Sequence, residues 1–201
     1  MQLDHIAVAG ENLAEATAFV EEALGVALQP GGAHAVFHTH NNLLGLADGL
    51  YLEAIAVDPV APAPTRARWF DLDRFSGAPR LSNWICACDD LDGQLQRLPA
   101  GFGVPVDLQR GDLRWRMAVP GDGVLPFDNC APALIEWQGP HPAPRLAASG
   151  LRLRRLTVRH PLAAELAAVL GLGDERVDYE AGAAGLWAEF DTPHGPRVLA
   201  G

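Results

Sequence analysis

Three observations in the sequence predict an α+β fold built from repeated βαβββ units. A pattern of one strand, one helix and three further strands opens the 201-residue chain and recurs twice in degenerate form. Alternating apolar and polar residues are typical of strands, whereas apolar residues spaced three and four apart are typical of a helix. Proline-rich segments separate the repeats. We therefore expect βαβββ modules at residues 1–58 and 81–138, a linker at 59–80 and a degenerate third unit at 148–201.

The first module begins with an apolar strand at residues 3–9. Asn12 is a favoured N-cap residue, and the apolar stripe after it predicts a helix that ends at Gly25. Turn residues at 47–49 are typical of a hairpin. We expect the three remaining strands of this module near 27–36, 38–46 and 50–57.

The second module repeats this order. It starts with a strand at 81–88, and Asp90 is expected to cap its helix. We expect its remaining strands near 104–109, 113–119 and 133–138.

The third unit starts with a strand at 151–158, and Pro161 is placed where helices begin. Further strands are expected at 176–180, 185–191 and 196–200. Arg154 occupies the position that His5 has in the first module, and the last strand has no glutamate. We interpret this unit as structural.

The charge balance excludes several classes of partner. Twenty-five acidic and fifteen basic residues give a formal net charge of -10, and an acidic chain repels nucleic acid and anionic lipid. No apolar run approaches the roughly 20 residues of a membrane helix, and the start of the chain does not resemble a signal peptide. We therefore expect no nucleic-acid partner, no membrane association and a cytoplasmic location.

All fifteen basic residues are arginine, because the sequence contains no lysine. A P-loop, a pyridoxal phosphate site and a Schiff-base aldolase each need a lysine amine. No glycine-rich dinucleotide fingerprint opens a helix either. We expect no PLP, no NAD and no nucleotide cofactor. Three cysteines, Cys86, Cys88 and Cys130, have no Cys-x-x-Cys spacing and are expected to be free thiols.

Several segments resemble the vicinal oxygen chelate superfamily, the group of glyoxalases, bleomycin-resistance proteins and extradiol dioxygenases. The closer resemblance is to its glyoxalase-like domain family. It implies that the two modules pair into an open, curved mixed β-sheet barrel with helices outside. It also implies a divalent metal on the concave face. The resembling segments are 3–6, 30–34, 39–44, 51–53, 113–116 and 134–137.

The resemblance implies a set of metal ligands in the first and last strands of each module. The matching positions are His5 and Glu53 in the first module and Asn83 and Glu136 in the second. Asn83 departs from the histidine or glutamine of many relatives, and a neutral amide is a poor ligand for a transition metal. The implied ligands are therefore His5, Glu53 and Glu136 for Zn, Ni, Mn, Co or Fe, with Glu136 also the candidate general base.

Strand alternation provides a separate prediction of which side chains face the concave side. If Ile6 and Val8 pack on the helices, His5 points into the concavity. If Leu113, Trp115, Met117 and Val119 pack on the helices, Arg114 and Arg116 point inward. His40 and Asn42 are expected on the inward face of their strand. The candidate substrate-binding residues are thus His40, Asn42, Asn83, Arg114 and Arg116.

Other interpretations of these residues stay open. His5 is equally compatible with a hydrogen-bonded strand histidine, and Glu53 and Glu136 with ion pairs to the two arginines. His34 and His38 are typical of loop or rim residues. Trp69 and Phe70 in the linker are expected to cover apolar surface, although a lid is an alternative.

The combined expectation is a glyoxalase-like, metal-assisted lyase or isomerase that acts on a small anionic, oxygen-rich metabolite. Dioxygenase chemistry is the weaker enzymatic choice. The alternative is a metal-free protein of the same fold that binds or sequesters a small molecule. A homodimer is expected, because a third unit without a partner in the chain leaves apolar strand surface to cover.

Overall fold

The computed structural model describes residues 1–201, which form twelve strands and three α-helices. The first module consists of β1 (Gln2–Ala9), α1 (Leu13–Leu24), β2 (Gln29–His34), β3 (Thr39–Gly45) and β4 (Tyr51–Val57). The second consists of β5 (Arg80–Ala87), α2 (Leu91–Arg97), β6 (Val104–Arg110), β7 (Leu113–Val119) and β8 (Ala133–Trp137). The third unit consists of β9 (Arg152–Arg159), α3 (Ala163–Leu170), β10 (Val177–Glu180), β11 (Gly185–Asp191) and β12 (Arg197–Ala200). Short 3₁₀ turns lie at 47–49, 69–71 and 143–145.

The first two modules share one eight-stranded mixed sheet in the order β2-β3-β4-β1-β5-β8-β7-β6. β1 pairs in parallel with β4, and β5 pairs in parallel with β8. The antiparallel pairing of β1 with β5 joins the modules at the centre. The sheet curls into a half-barrel, so the predicted open and curved α+β architecture is confirmed.

Helix α1 shows how local sequence determines its bounds. The side chain of Asn12 accepts a hydrogen bond from the backbone N–H of Glu15 at 2.9 Å, which caps the first turn. Gly25 ends the helix with φ of 72°, a left-handed conformation that glycine adopts without steric cost. The buried residues Ala16, Val20 and Leu24 form the stripe that packs on the sheet. None of the three helices is long and apolar enough to cross a membrane.

The third unit forms a separate four-stranded sheet in the order β10-β9-β11-β12. In the two modules the first strand pairs with the last, whereas β9 pairs with β10 and β11. The unit therefore keeps the βαβββ order along the chain but has a different pairing.

This second sheet packs on the convex face of the half-barrel, the face that also carries α1. One core of 31 buried residues contains Ile6, Leu52 and Trp84 from the first sheet and Leu156 and Phe190 from the second. The apolar surface that was expected to require a second copy of the chain is therefore buried within the same chain. The physical reason for predicting a homodimer is lost.

The linker covers the concave face. Trp69 and Phe70 are buried and belong to a second core of 17 buried residues, which also contains Ala7, Ile55 and Ile85 of the central strands. The ring of Trp69 stacks on Phe37 with 4.2 Å between ring centroids. The concave trough of the half-barrel is therefore partly filled by aromatic side chains.

Candidate active site

A bulge in β1 brings two ionisable side chains together. Leu3 pairs with Cys86 and His5 pairs with Ile85, so Asp4 is an extra residue without a partner on β5. An extra residue of this kind redirects side chains and is common beside active sites. The Asp4 Oδ1 and His5 Nδ1 atoms are 2.5 Å apart as a result.

His5 lies in a cavity on the concave face, here called the His5 cavity. Its volume is about 420 Å³ including the open mouth. Aromatic and apolar side chains form most of its wall. The polar side chains that line it are His5, His34, Asn41, Tyr51, Glu53 and Arg110.

Asp4, His5 and Glu53 form a continuous buried arrangement. Each of the three residues has an exposed fraction of only 4–5%. The Nε2 atom of His5 lies 3.6 Å from Oε1 of Glu53, and Oε2 of Glu53 accepts a hydrogen bond from Asn41 at 2.7 Å. The imidazole is thus held between two carboxylates, one at each ring nitrogen.

Burial disfavours the charged imidazole, but the contacts with Asp4 and Glu53 outweigh it and raise the pKa of His5 to about 9. Burial also opposes ionisation of Glu53, yet the contacts with His5 and Asn41 lower its pKa. The same holds for Asp4, whose hydrogen bonds to His141 and His5 hold its pKa well below the ordinary value despite burial. At neutral pH the site is an imidazolium between two carboxylates.

The second carboxylate oxygen of Asp4, Oδ2, also accepts hydrogen bonds. The indole N–H of Trp137 donates to Asp4 Oδ2 at 3.0 Å, and His141 Nε2 lies 3.0 Å from the same oxygen. The Nδ1 atom of His141 accepts from the backbone N–H of Ala143, so Nε2 carries the proton and donates. Asp4 is therefore fixed by three donors and in turn fixes the orientation of His5.

Arg110 supplies a cation to the wall of the His5 cavity. Its guanidinium donates to His34 Nε2 and to Asn41 Oδ1, each at 3.1 Å, and it forms no ion pair with a carboxylate. Burial and the Arg110 charge lower the pKa of His34 to about 4, so His34 is neutral and its Nδ1 donates to Thr39 at 2.9 Å. A guanidinium without a carboxylate partner is suited to binding an anion.

The prediction that Glu136 converges with His5 and Glu53 is wrong. Ile135 and Trp137 line the His5 cavity, and Glu136 between them faces the other way. Its Oε2 accepts from the backbone N–H of Leu91 at 2.8 Å and lies 3.5 Å from Arg116. The carboxylate caps the start of α2 and neutralises an arginine, which is the ion-pair interpretation left open by the sequence.

Strand register gives the reason. Ala7 pairs with Glu53 in the first module, and Ile85 pairs with Ala133 in the second. If His5 corresponds to Asn83, then Ala7 corresponds to Ile85 and Glu53 corresponds to Ala133. The hydrophobic pattern placed Glu136 three residues out of register.

His40 and Asn42 also point away from the cavity. Thr39, Asn41 and Leu43 pair with Val57, Ile55 and Glu53, and they share the concave face with these residues. Asn42 instead donates to Thr17 of helix α1 at 2.9 Å. Successive side chains of a strand point to opposite faces, so a prediction that is one residue off assigns every side chain to the wrong face.

Arg114 and Arg116 of β7 also lie outside the His5 cavity. Trp115 and Met117 line the His5 cavity, so the apolar face of β7 turns inward and not toward the helices. Arg114 is exposed, and Arg116 donates to Asp92 of α2 at 2.8 Å. Helix α2 has only seven residues, and the linker aromatics provide the apolar partner for this face.

Asn83 is buried on the concave side but lies in a different cavity, lined by the linker and the second sheet. Its amide has no hydrogen-bond partner.

Sequence reasoning thus found His5 and Glu53, and it missed Asp4, Asn41, His34 and Arg110. Nothing in the sequence indicates the bulge at Asp4. Asn41 could have been found, because an inward face made of Thr39, Asn41 and Leu43 fits the alternation of β3 as well as the face that was chosen.

These residues do not fit a divalent metal with three protein ligands. The facing atoms of His5 and Glu53 are close enough to bind one ion, but such sites need a third donor. Glu136 faces the convex side, Asn83 lies elsewhere and His34 Nε2 is bonded to a guanidinium. No group of three or more His, Cys, Asp or Glu side chains in the chain is arranged to hold a metal.

The raised pKa of His5 predicts a pH dependence of stability. The free energy of unfolding should fall by on the order of 2 to 3 kcal/mol as the pH rises from 6.5 to 9, because the folded imidazole binds its proton more tightly than the unfolded one. Urea unfolding at closely spaced pH values measures this. The lowered pKa values of Asp4, Glu53 and His34 act below this range. A flat profile between pH 6.5 and 8.5 would contradict the charged state assigned to His5.

Comparison with known proteins agrees with this fold. A family model described as a glyoxalase-like domain matches residues 3–171. A hypothetical protein from Staphylococcus aureus has 14% sequence identity and a TM-score of 0.59, over 91% of this chain and 86% of that chain. No curated protein gave a significant match.

Two further solved structures match at lower similarity. Methylmalonyl-CoA epimerase from Mycobacterium tuberculosis has 19% identity and a TM-score of 0.43, over 68% of this chain and 86% of that chain. A mutant of 4-hydroxymandelate synthase from Streptomyces coelicolor has 13% identity and a TM-score of 0.48, over 99% of this chain and 62% of that chain. The family model covers most of the sequence, and the chain belongs to the glyoxalase-like domain family.

Proposed function

We propose that this protein is an isomerase or lyase that moves a proton next to the carbonyl group of a small carboxylate. The observation that carries the proposal is the buried His5 imidazolium, held by Asp4 and facing the Glu53 carboxylate in an apolar cavity. An acid and a base that meet at one point of a cavity with apolar walls are the groups that enolisation needs.

In this mechanism Glu53 accepts the proton from the carbon beside the carbonyl, and the Nε2–H of His5 donates to the carbonyl oxygen. The C–H electron pair becomes the enol double bond, and the carbonyl π pair moves to the oxygen. The two proton transfers support each other, because the charge of His5 is what lowers the pKa of Glu53. As the His5 proton moves toward the oxygen, Glu53 becomes a stronger base.

Asp4 and Arg110 position the reacting groups. Asp4 holds the imidazole through Nδ1, so that Nε2 is the nitrogen aimed at Glu53. Arg110 would bind the substrate carboxylate, and the aromatic wall would exclude water. In this proposal the substrate carboxylate is therefore bound by Arg110 and not by Arg114 and Arg116, the substrate-binding arginines expected from the sequence.

The alternative is a protein that binds a small molecule without reaction. It is favoured by the fact that the carboxylates of Asp4 and Glu53 are already paired with His5, His141 and Asn41. A ligand would then only occupy the cavity beside them.

Replacing Glu53 with Gln should abolish proton abstraction. Exchange of the C3 protons, the methyl protons of pyruvate and the methylene protons of 2-oxobutyrate, for deuterium in D₂O, followed by proton NMR, measures this step directly. We expect wild-type protein to accelerate the exchange and Glu53→Gln to lower that rate by about 100-fold or more, because an amide cannot act as the base.

Glu136→Gln is the matched control, since Glu136 is the same residue type on the opposite face of the sheet. It should keep the wild-type rate. Equal losses in both variants would contradict the assignment of Glu53. Saturable binding of these acids without any exchange would favour the binding protein.

Replacing Arg110 with Gln should weaken binding of the carboxylate with a smaller effect on the chemical step. We expect KM for the same exchange reaction to rise about tenfold or more, which corresponds to the loss of one charge-assisted pair. Arg114→Gln, which removes an exposed arginine, should leave KM unchanged. If Arg114→Gln raised KM and Arg110→Gln did not, the anion site would lie elsewhere.

Divalent metals should not stabilise the protein specifically. We expect Zn, Ni, Mn, Co and Fe(II) to shift the unfolding temperature by less than about 1 °C, because His5 and Glu53 supply only two donors. Thermal unfolding after chelation and again after addition of each metal tests this. A larger shift that is lost in Glu53→Gln and kept in Glu136→Gln would restore the metal-assisted alternative.

A further inference from the structure

A second cavity, here called the Asn83 cavity, lies at the end of the trough. It has a volume of about 680 Å³ including its open mouth and is lined by the linker, the start of β5, the turn at 127–130 and the start of β11. Phe70 is the one residue that lines both this cavity and the His5 cavity. Phe70 therefore lies between the two cavities.

Asn83 is the unexplained group in this second chamber. It is 1% exposed, and both Nδ2 and Oδ1 are without a hydrogen-bond partner. It is the one buried side chain in the structure whose donor and acceptor are both unpaired. Buried amides are normally hydrogen-bonded, because leaving them unpaired is costly. Both atoms are covered by neighbouring groups, so a molecule that offers an acceptor and a donor side by side can reach the amide of Asn83 only if this wall of the cavity moves.

Arg80 supplies a cation to the same chamber. Its guanidinium donates to the backbone carbonyls of Ser76 at 3.0 Å and Ala78 at 3.3 Å, and it lies 4.0 Å above the ring centroid of Phe75. It has no carboxylate partner within ion-pair distance. Two carbonyls and an aromatic face therefore hold this cation in place, with its charge not neutralised.

The other charged side chains of this chamber already have partners. Arg74 contacts Asp71 at 2.7 Å, and Asp128 contacts His160 at 3.1 Å. Arg80 is the remaining side-chain charge. Because Ser82 is an extra residue in β5, Arg80 pairs with Ala9 and Asn83 with Ala7, so the two side chains are on the same face and about 7 Å apart along the strand. Their side chains can therefore reach the two ends of a single small ring compound.

We propose that the Asn83 cavity is a separate binding site for a small planar carboxylate that carries a lactam or imide edge. The edge pairs with the amide of Asn83, and the carboxylate binds Arg80. This inference does not depend on the acid–base chemistry proposed for His5 and Glu53, because no residue of that pair lines the Asn83 cavity.

The walls of the chamber are held in unusual backbone conformations. Phe70 and Asp71 have φ of 59° and 56°, and residues 127–129 also have positive φ. The side chain of Asn129 donates to Asp71 at 3.1 Å and ties the two segments together. Such conformations persist where the surrounding structure fixes them, and here they fix the shape of the proposed site.

Three probes separate the two recognition elements. Orotate has both an imide edge and a carboxylate, uracil has the edge alone, and benzoate has the carboxylate alone. Isothermal titration calorimetry on the full chain should show orotate binding at least about tenfold more tightly than either single-feature probe. Asn83→Leu should reduce the affinity for orotate to that for benzoate, and Arg80→Leu should reduce it to that for uracil.

The controls locate the site. Arg154→Leu removes an exposed arginine of the second sheet, and Glu53→Gln alters the other cavity, so both should keep the wild-type affinity for orotate. Asn83→Ser provides a second variant if the leucine variant does not fold. Absence of saturable orotate binding up to about 10 mM would mean that only water occupies the cavity, and would overturn the proposal. Unchanged binding in both Asn83 variants, or loss in Glu53→Gln, would overturn it equally.

Discussion

The antiparallel pairing of β1 with β5 is the interaction on which the rest of the structure depends. It makes one continuous sheet from two modules that are each too small to close a barrel. Because this pair lies at the centre of the sheet, both of its faces are buried, by the second sheet on the convex side and by linker aromatics on the concave side. Two irregularities in its register, at Asp4 and at Ser82, lie next to the residues that the two cavities expose.

The electrostatics of the His5 cavity follow from burial. Isolated charges in an apolar site are costly, and the protein offsets the cost with alternating signs and directed hydrogen bonds. Asp4 is negative, His5 is positive and Glu53 is negative, and each touches the next. Arg110 supplies the second positive charge, and Asn41 lies between it and Glu53, so that it contacts neither carboxylate. A nearly neutral interior built from four charges can stabilise a charge that moves within it, because the dipoles are already oriented.

The sequence was sufficient for the fold and for one half of the site. Repetition and strand length determined the modules, and His5 and Glu53 sit in a strand pair whose in–out pattern is unambiguous. The pattern failed in the second module, where both faces of β7 and β8 could be packed. There Leu113, Trp115 and Met117 were assigned to the helices, because an inward apolar face required knowledge of the linker that fills the trough. On β3 the predicted inward face was one residue off, so His40 and Asn42 were chosen in place of Asn41. On β8 the predicted ligand Glu136 was three residues out of register. The sequence of a strand does not show which distant segment of the chain packs on each of its faces.

The filled trough also determines how molecules reach the chambers. The second sheet supports the back of the central strands, so the curvature of the half-barrel has little freedom to change. The segment around Trp69 and Phe70 is held by ring stacking and by a few hydrogen bonds, and it is the wall shared by both chambers. A molecule that needs more room than the His5 cavity provides can gain it only if this segment moves. Its association rate would then be set by the frequency of that movement and not by diffusion, and the indole of Trp69 would change its surroundings each time a ligand arrives.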